Sequence, residues 1–585
     1  MSKLSVSSRD WKACDIDERL VYEYTNNYGI SGLLARILIS RNINRDNIQN
    51  FLDPKIRDLL PDPMHFLDME KACTRVAKAI ISQEKIIILG DYDVDGATSS
   101  ALLIRLFRSL GVKAEAYIPD RIREGYGPNP KIMQKLKKTG TDLVITVDCG
   151  VTAFDAMNEA KKLQLDVIIL DHHMSDIELP EAFAIVNPNR FDETTQYKDL
   201  AAVGVSFIFS VALIKILRNE EFFTDREEPD LLKLLDLVAL GTICDMMNLT
   251  GLNRAFVVQG LKVMQKRQNI GLKVLSDLAK IDVTMSAYHL GFVIGPRINA
   301  GGRVGKSYLG SLLLSSDNED DAVKYTLELE QYNEERKVIE QKALEEAFNM
   351  AEIQFSKNYI LVYGENWHPG VVGIVAGKIK DRFQKPVAVI AVNNGIGKAS
   401  CRSIKGVDFG SKIVEARNKG LLIAGGGHSM AAGFTIDMDK LSNFLAFLDQ
   451  KMAKESNAIL ENYIRYYDVE ISPNGFNTEI AYEIQKLEPY GNGNSEPIIK
   501  ISGLFVLKAN VIGNKHISCL LGSDRNAFGS KAFRAISFNS VGTQVADALF
   551  SEKPLLLTIF GNIKINNWQG KSTAQLLIND IIIND

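Results

Sequence analysis

From residue 85 onward the chain alternates between short apolar runs and longer amphipathic stretches. KIIILG (85–90) is followed by an acidic turn and then by ALLIRLFRSLG, which ends at Gly111. KAEAYIP (113–119) predicts the next strand, KIMQKLKKTG (131–140) the next helix and TDLVITV (141–147) another strand. VTAFDAMNEAKKLQ is helical again, and LDVIIL (165–170) predicts a fourth strand. Strands alternating with helices of roughly 10–15 residues predict a parallel α/β sheet. Residues 228–270 and 306–355 carry helical periodicity. The second of these is charged on most faces, which reads as a solvated connector between two lobes. A second α/β unit follows, with strands at NYILVYG (358–364) and PVAVIAV (386–392) around the helix VVGIVAGKIKDRF (371–383). From about 498 short strands take over, among them GLFVLKANVIG, HISCLLG, AFRAISF, LLLTIFGNIKI and STAQLLI. Their spacing predicts a small β-barrel of oligonucleotide-binding type, with a sandwich as the alternative.

The expected organisation is an N-terminal helical segment (1–80) broken at Pro54 and at Pro61–Pro63, then a parallel-sheet α/β domain (81–315). A connecting helix (316–355), a smaller α/β lobe (356–455) and a barrel with its leading linker (456–585) complete it. At 585 residues, a chain of about three to five domains needs no disulfide or metal staples to hold its cores.

Charge narrows the function classes. Lys and Arg total 68 against 72 Asp and Glu, a net charge of −4, which excludes a wholly basic nucleic-acid binder but permits a basic groove. The six cysteines are scattered without a Cys-x-x-Cys pair, so a reducing, cytoplasmic compartment is expected. The first residues, MSKLSVSSRDWKACD, lack the apolar core of a signal peptide. The stretch 231–247 is taken as the most apolar long one, and Lys233, Asp236 and Asp245 interrupt it, so no membrane span is expected.

The candidate chemistry lies where the predicted strands end. Asp91, Asp93 and Asp95 follow the first strand in GDYDVDG, Asp148 follows the third in VDCG, and Asp171, His172 and His173 follow the fourth. In an open parallel sheet these ends line one edge, where ligands bind. Taken singly, each Asp is explained as a turn or cap residue. The set in register is not, because so many like charges share a crevice only around a cation. Oxygen ligands with imidazole suit Mn²⁺ or Mg²⁺, and two such ions about 3.5–4 Å apart would clamp a phosphoryl transfer. Cys149 reads as a packed side chain, since no general base is assigned to it.

GDYDVDG, TVDCG, LDHH and LDLVALGTICDMMNLTGLNR are similar to the four motifs of the DHH phosphoesterases, most closely to their single-strand-specific 5′→3′ exonuclease branch. The resemblance covers nearly the whole chain. It implies a parallel-sheet DHH domain joined by a long helix to a smaller DHHA1 lobe, with a C-terminal OB-like barrel. It further implies that Asp93, Asp95, Asp148, His172 and Asp245 bind the metals, with Asp148 as the bridge, and that Asp91 and His173 complete the catalytic set. Some members place a histidine four residues before the position of Asp93; Leu89 stands there, one ligand fewer. CDMM (244–247), Asn248, Ala399 and Gly301-Gly302 also depart from the common pattern.

GGGHSMAAGF (425–434) resembles the glycine-rich motif of the second lobe, in which Gly426 and Gly427 would let backbone N–H groups reach a phosphate and His428 would donate to it. Ser400 and Arg402 are two apart and share a side if extended. Each nearby Arg taken alone is a surface residue or a carboxylate partner. Together with the resemblance, Arg121, Arg297, Arg303, Ser400, Arg402 and His428 are expected to hold a terminal 5′ phosphate. LEPYGNGNSEP (487–497) resembles the junction into the barrel. Aromatics of the barrel, Phe505, His516, Phe528, Phe533, Phe538 and Trp568, are of a kind that stacks on bases, but most such residues are core, and none is assigned to stacking.

The function implied is a metal-dependent exonuclease that degrades single-stranded DNA 5′→3′ in recombination and repair. The partners implied are a single-strand-binding protein and a RecQ-type helicase, with a monomeric chain and no membrane. Two alternatives are a superfamily phosphoesterase acting on pyrophosphate, cyclic dinucleotides or very short RNA, and a non-catalytic replication scaffold. Length argues against the first, and the complete acid and histidine set against the second.

Overall fold

A computed structural model describes residues 3–120, 124–125, 127–525, 532–568 and 570–584. The chain divides into two units: residues 49–336 with 489–495, and residues 1–48 with 337–488 and 496–585.

The first unit is built on a five-stranded parallel sheet in the order Ala114–Tyr117, Ile86–Gly90, Leu143–Val147, Asp166–Leu170, Ala184–Val186. Ile86–Gly90 and Leu143–Val147 are buried at every position, as expected for strands covered on both faces. The pleat sends Ile86 and Ile88 into one core with Val94, Leu102 and Phe107. Ile87 and Leu89 enter the opposite core with Ile132, Met133 and Leu136. Local signals place the helices: Asn129 caps Pro130–Lys138 by accepting from the Ile132 N–H (3.1 Å), with Pro130 in the first turn, where its missing N–H costs nothing. The fifth strand, Ala184–Val186, is too short to register as a pattern and exists because Asp166–Leu170 offers it an edge.

One helix among the described residues, Ala202–Asn219, is long and apolar enough to cross a membrane by composition, but 72% of it is buried inside the protein. It, rather than 231–247, is the most apolar long segment. The latter breaks into a single 3₁₀ turn, Leu231–Leu234, and the helix Leu235–Cys244, because Asp230 caps the turn.

The second unit holds a five-stranded sheet in the order Ala424–His428, Ala431–Asp437, Ile396–Arg402, Val387–Asn393, Ile360–Glu365, parallel only between the last two. It also holds a barrel in which Ile499–Ile512 pairs with both Val469–Ile471 and His516–Gly522 and closes onto Leu556–Trp568. The N-terminus is not helical throughout. Asp10–Ala13 is a strand parallel to Ile464–Tyr467, and Trp11 stacks on Phe560 at 4.3 Å while donating to Asp580 (2.8 Å). A strand whose partner lies some 450 residues away leaves no local pattern.

The long helix Glu319–Ile353 is found as the expected connector, exposed along much of its length, but it is not solvated on every side. Ala322, Thr326, Leu329, Asn333 and Arg336 are buried within the first unit, and Glu340, Ala343, Ala347 and Ala351 within the second. The stripe has helical spacing but is made of small and polar residues, so hydropathy alone does not reveal it.

Candidate metal centre

Three strand ends and one helix end deliver the acidic and histidine side chains. Asp93 caps the helix Val94–Ser109, accepting from the N–H groups of Asp95 (2.9 Å) and Gly96 (3.1 Å). Asp95 is buried on that helix and accepts from the N–H groups of Ala202 (2.6 Å) and Val203 (2.9 Å), the N-terminus of a second helix. Asp245 terminates the helix Leu235–Cys244. That helix reaches the site because Gly241 has no side chain: a Cβ there would lie 2.4 Å from Thr98 Oγ1 and 2.9 Å from Asp95 Oδ1.

The histidines follow Asp166–Leu170. Nε2 of His172 lies 3.3 Å from Asp148, 3.4 Å from Asp245 and 3.9 Å from Asp95. The His172 ring also hydrogen-bonds the Leu200 backbone, and burial, then the neighbouring His173, push it down to about 4, so it is a neutral imidazole. Asp171, which the sequence reading left without a role, organises the pair. It accepts from the His172 N–H (2.7 Å), from the N–H (3.1 Å) and Nδ1 (2.8 Å) of His173, and from the Val151 N–H (3.1 Å). Burial works to raise Asp171, but these donors outweigh it and hold the carboxyl at about 2. His173 is correspondingly held at about 9, its burial overridden by the Asp171 bond. The signal for Asp171 was its place directly after a strand, where its backbone donors converge.

The remaining acids repel one another. Burial, with Asp93 beside it, pushes Asp95 up to about 7. Burial, then Asp95 and Asp93, push Asp245 up to about 9. Burial and then Asp93, Asp95, Asp91 and Asp245 raise Asp148 well above the carboxylate range. Among the described residues three overlapping groups each bring ligand atoms within 4.8 Å: Asp91, Asp93 and Asp148; Asp95, His172 and Asp245; Asp148, His172 and His173. His172 Nε2 and Asp245 Oδ2 are buried and find no hydrogen-bond partner among the described residues. Buried polar atoms are normally paired, so an imidazole lone pair and a carboxylate oxygen left facing each other fit a divalent cation. Cys149 is buried and its thiol is raised by burial, as a packed residue should be.

The second unit carries a different surface. Ser400 and Arg402 lie on Ile396–Arg402 and share one face, where Arg402 reaches the Ser400 hydroxyl at 3.2 Å. The rows across the sheet run Gly426, Gly433, Ser400 and His428, Ala431, Arg402. This face is therefore carpeted by residues with little or no side chain beside a serine and an arginine. Gly373, in the first turn of the helix Val372–Phe383, borders it; a Cβ there would lie 3.1 Å from Ser400 Oγ. Among the described residues Arg402 has no carboxylate partner, and burial lowers its guanidinium. AGGGH (424–428) is not a loop wrapped for phosphate but an edge strand, its glycines held in a ladder with Ala431–Asp437. The other face, with Cys401, Ala432 and Phe434, is core.

The arginines of the first unit fare differently. Arg303 ends the helix Gly295–Val304, whose Gly302 presses on Tyr92 of the acidic turn; a Cβ there would come within 2.7 Å of the ring. Arg297 is committed to Glu330 (2.6 Å) and to the Val293 carbonyl (2.8 Å). Arg121 lies outside the described residues. In the barrel Phe533 stacks on Phe476 (4.1 Å), Arg525 lies over Phe505 (5.1 Å) and Phe538 packs edge-on to His516 (5.2 Å). Phe528 and the Trp568 side chain are outside the described set.

Residues 85–242 match the DHH family, N-terminal domain, residues 356–454 the DHHA1 domain and residues 467–580 the RecJ OB domain. The chain is 32% identical to the single-stranded-DNA-specific exonuclease RecJ of Escherichia coli over 94% of its length and 95% of that protein's. It is 33% identical to the Bacillus subtilis exonuclease of the same name, over 99% of this chain and 71% of the relative. Among solved structures it is similar to RecJ from Thermus thermophilus in complex with Mn²⁺, with a TM-score of 0.80 at 26% identity, over 98% of this chain and 80% of that one. A fold, a clustered acid–histidine site and whole-length relatives agree: the chain belongs to the RecJ family.

Proposed function

We propose that this chain removes nucleotides from the 5′ end of single-stranded DNA by two-metal hydrolysis of the phosphodiester bond. It is a nuclease, and its cofactor is Mn²⁺ or Mg²⁺, the ions bound in the related Thermus structures. The observation that carries the reading is the meeting of His172 Nε2 with Asp148, Asp245 and Asp95, its lone pair unused.

Asp93, Asp95, Asp148, His172 and Asp245 would hold the ions, with Asp91 beside them. When bound, such ions supply a nucleophilic hydroxide at neutral pH and neutralise charge on the phosphoryl oxygens. The protein's own groups do the rest. Asp171 fixes the His173 imidazole through Nδ1 and the backbone turn that carries His172, and this same His173 Nδ1 lies 4.0 Å from Asp148, a positive charge beside the acids. Ser400, Arg402 and His428, over the bare backbone of Gly426 and Gly433, form a cradle for a terminal phosphate. Arg303 belongs to the same reading, and Arg121 enters it on the sequence alone. The family resemblance extends the reading to a cytoplasmic monomer working in recombination and repair, beside a single-strand-binding protein and a helicase.

The test uses a 5′-phosphorylated single strand labelled at its 3′ end, with Mn²⁺ or Mg²⁺, beside its duplex and a 5′-blocked strand. Stepwise shortening of the free single strand alone is expected. Shortening of the 5′-blocked strand would refute the polarity, and cleavage confined to dinucleotides would refute the substrate class.

A further inference from the structure

The short segment Pro489–Ser495 belongs to the unit that carries the metal centre, although the residues on both sides of it belong to the other. Its place is the turn that follows Asp245. There the helix Leu235–Cys244 ends with Met246 in the left-handed region (φ 58°). The Met246 and Met247 N–H groups bond back to Ile243 (3.1 Å) and Thr242 (3.1 Å), a closure that normally recruits glycine. A methionine there is strained by about 1–3 kcal/mol and persists only if its surroundings hold it.

Asn492 holds it from both of its polar groups. Its side-chain amide donates to the Met246 carbonyl (2.9 Å), and its own carbonyl accepts from the Leu249 N–H (2.8 Å). Gly491 and Gly493 let the segment sit on the turn; a Cβ at Gly491 would lie 2.8 Å from the Leu249 side chain. Arg254, buried and bonded to the Phe51 carbonyl (2.7 Å), also donates to the Pro489 carbonyl (3.4 Å).

The turn then passes the constraint inward. Asn248 donates to the Asp199 carboxylate (3.1 Å), and Asn253 ties the carbonyls of Asp199 (2.6 Å) and Asn248 (3.1 Å) together. The stretch that begins at Lys198 is the same one that orients the other ligands. Leu200 bonds the His172 ring, Ala202 and Val203 donate to Asp95, and Asn189 bridges the carbonyls of His172 (2.6 Å) and Lys198 (2.9 Å).

We infer that Asn492 is a positioning residue for the metal centre, fixing the turn so that the Asp245 carboxylate stays opposite His172. The inference rests on the metal-binding reading of that site. It assigns to the junction before the barrel a role in metal binding that is separate from any contact with DNA.

The test is Mn²⁺ titration of the full chain by calorimetry, with the unfolding temperature of the metal-free protein measured alongside. Asn492→Ala is expected to weaken Mn²⁺ binding by about 10-fold, within the range for groups that orient metal ligands. Because Asn492 is exposed, the metal-free unfolding temperature should stay close to that of the unsubstituted chain. Adding Met246→Gly, which relaxes the left-handed turn at an exposed position, should restore most of the affinity. Unchanged Mn²⁺ affinity in Asn492→Ala would overturn the inference. So would a weakened affinity accompanied by an equal loss of metal-free stability that Met246→Gly does not repair. If the unsubstituted chain binds no Mn²⁺, the metal reading itself falls and the inference with it. If it binds Mn²⁺ but degrades no single strand, the proposed substrate alone is lost.

Discussion

His172 Nε2 faces Asp148 Oδ1 at 3.3 Å, and the Asp148 backbone that brings the two together is left-handed, with φ 60°. Asp148 thus combines a disfavoured backbone with a buried carboxyl among four other acids, which resist its ionisation. Both features oppose folding, by about 1–3 kcal/mol for the backbone alone, and both place its oxygens at the centre of the cluster.

Replacing Asp148 by Asn tests this trade. Asparagine tolerates the left-handed region and keeps the shape while removing the charge. Without metal the variant is expected to unfold at a higher denaturant midpoint, because burial, and then the neighbouring acids, disfavour the ionised carboxyl that it removes. Nuclease activity is expected to fall by at least about 1000-fold, the scale lost when a group essential to stabilising the reacting centre is removed. Retained activity in a gel assay would sink the assignment of Asp148.

Metal should stabilise the fold with the logarithm of its concentration above the dissociation constant. The acids at residues 91, 93, 95, 148 and 245 repel one another until a cation enters. After chelation and dialysis, Mn²⁺ at 100 times its dissociation constant is expected to add about 2.7 kcal/mol. Calorimetric melting across a metal series reads this directly; a melting temperature indifferent to Mn²⁺ would count against the site.

The glycine-floored face of the second unit should discriminate between strand ends. Arg402→Lys keeps a positive charge but loses the planar fork that grips a phosphate from two sides. The variant is expected to raise KM for a 5′-phosphorylated strand by about 10-fold, equal to about 1.4 kcal/mol, with a smaller effect on a 5′-hydroxyl strand. Equal effects on both strands would assign Arg402 to general packing.

Gly241→Ala places a methyl where Thr98 Oγ1, Val203 and Asp95 Oδ1 already stand. Overpacking of this kind costs about 1–3 kcal/mol. Since the same helix ends in Asp245, Mn²⁺ affinity should fall together with stability, measured by denaturant melts and titration on one preparation. Loss of stability with unchanged affinity would show that the helix does not set the carboxylate's position.

Much of this molecule is written locally. The runs at 86–90, 143–147 and 166–170 read as strands because their neighbours in sequence bound them, and the acids after each run fall on one edge once the strands are parallel. The family motifs single out acids and histidines that the structure gathers into one cluster. Other features depend on partners distant in sequence and have no local signature. Asp10–Ala13 becomes a strand only beside Ile464–Tyr467, and GGGH becomes an edge strand only beside Ala431–Asp437. The small and polar stripe of Glu319–Ile353 reads as solvated until the cores that cover it are assembled. Arg297 resembles its neighbours in sequence, yet a turn of the long helix sets Glu330 against it. The role of Asp171 and the grip of Asn492 on the Met246 turn are matters of distance and direction. Sequence determined which chemical groups are present and which strand or helix carries each. Only tertiary structure decided which of them meet, because burial and hydrogen-bond geometry are properties of neighbours in space.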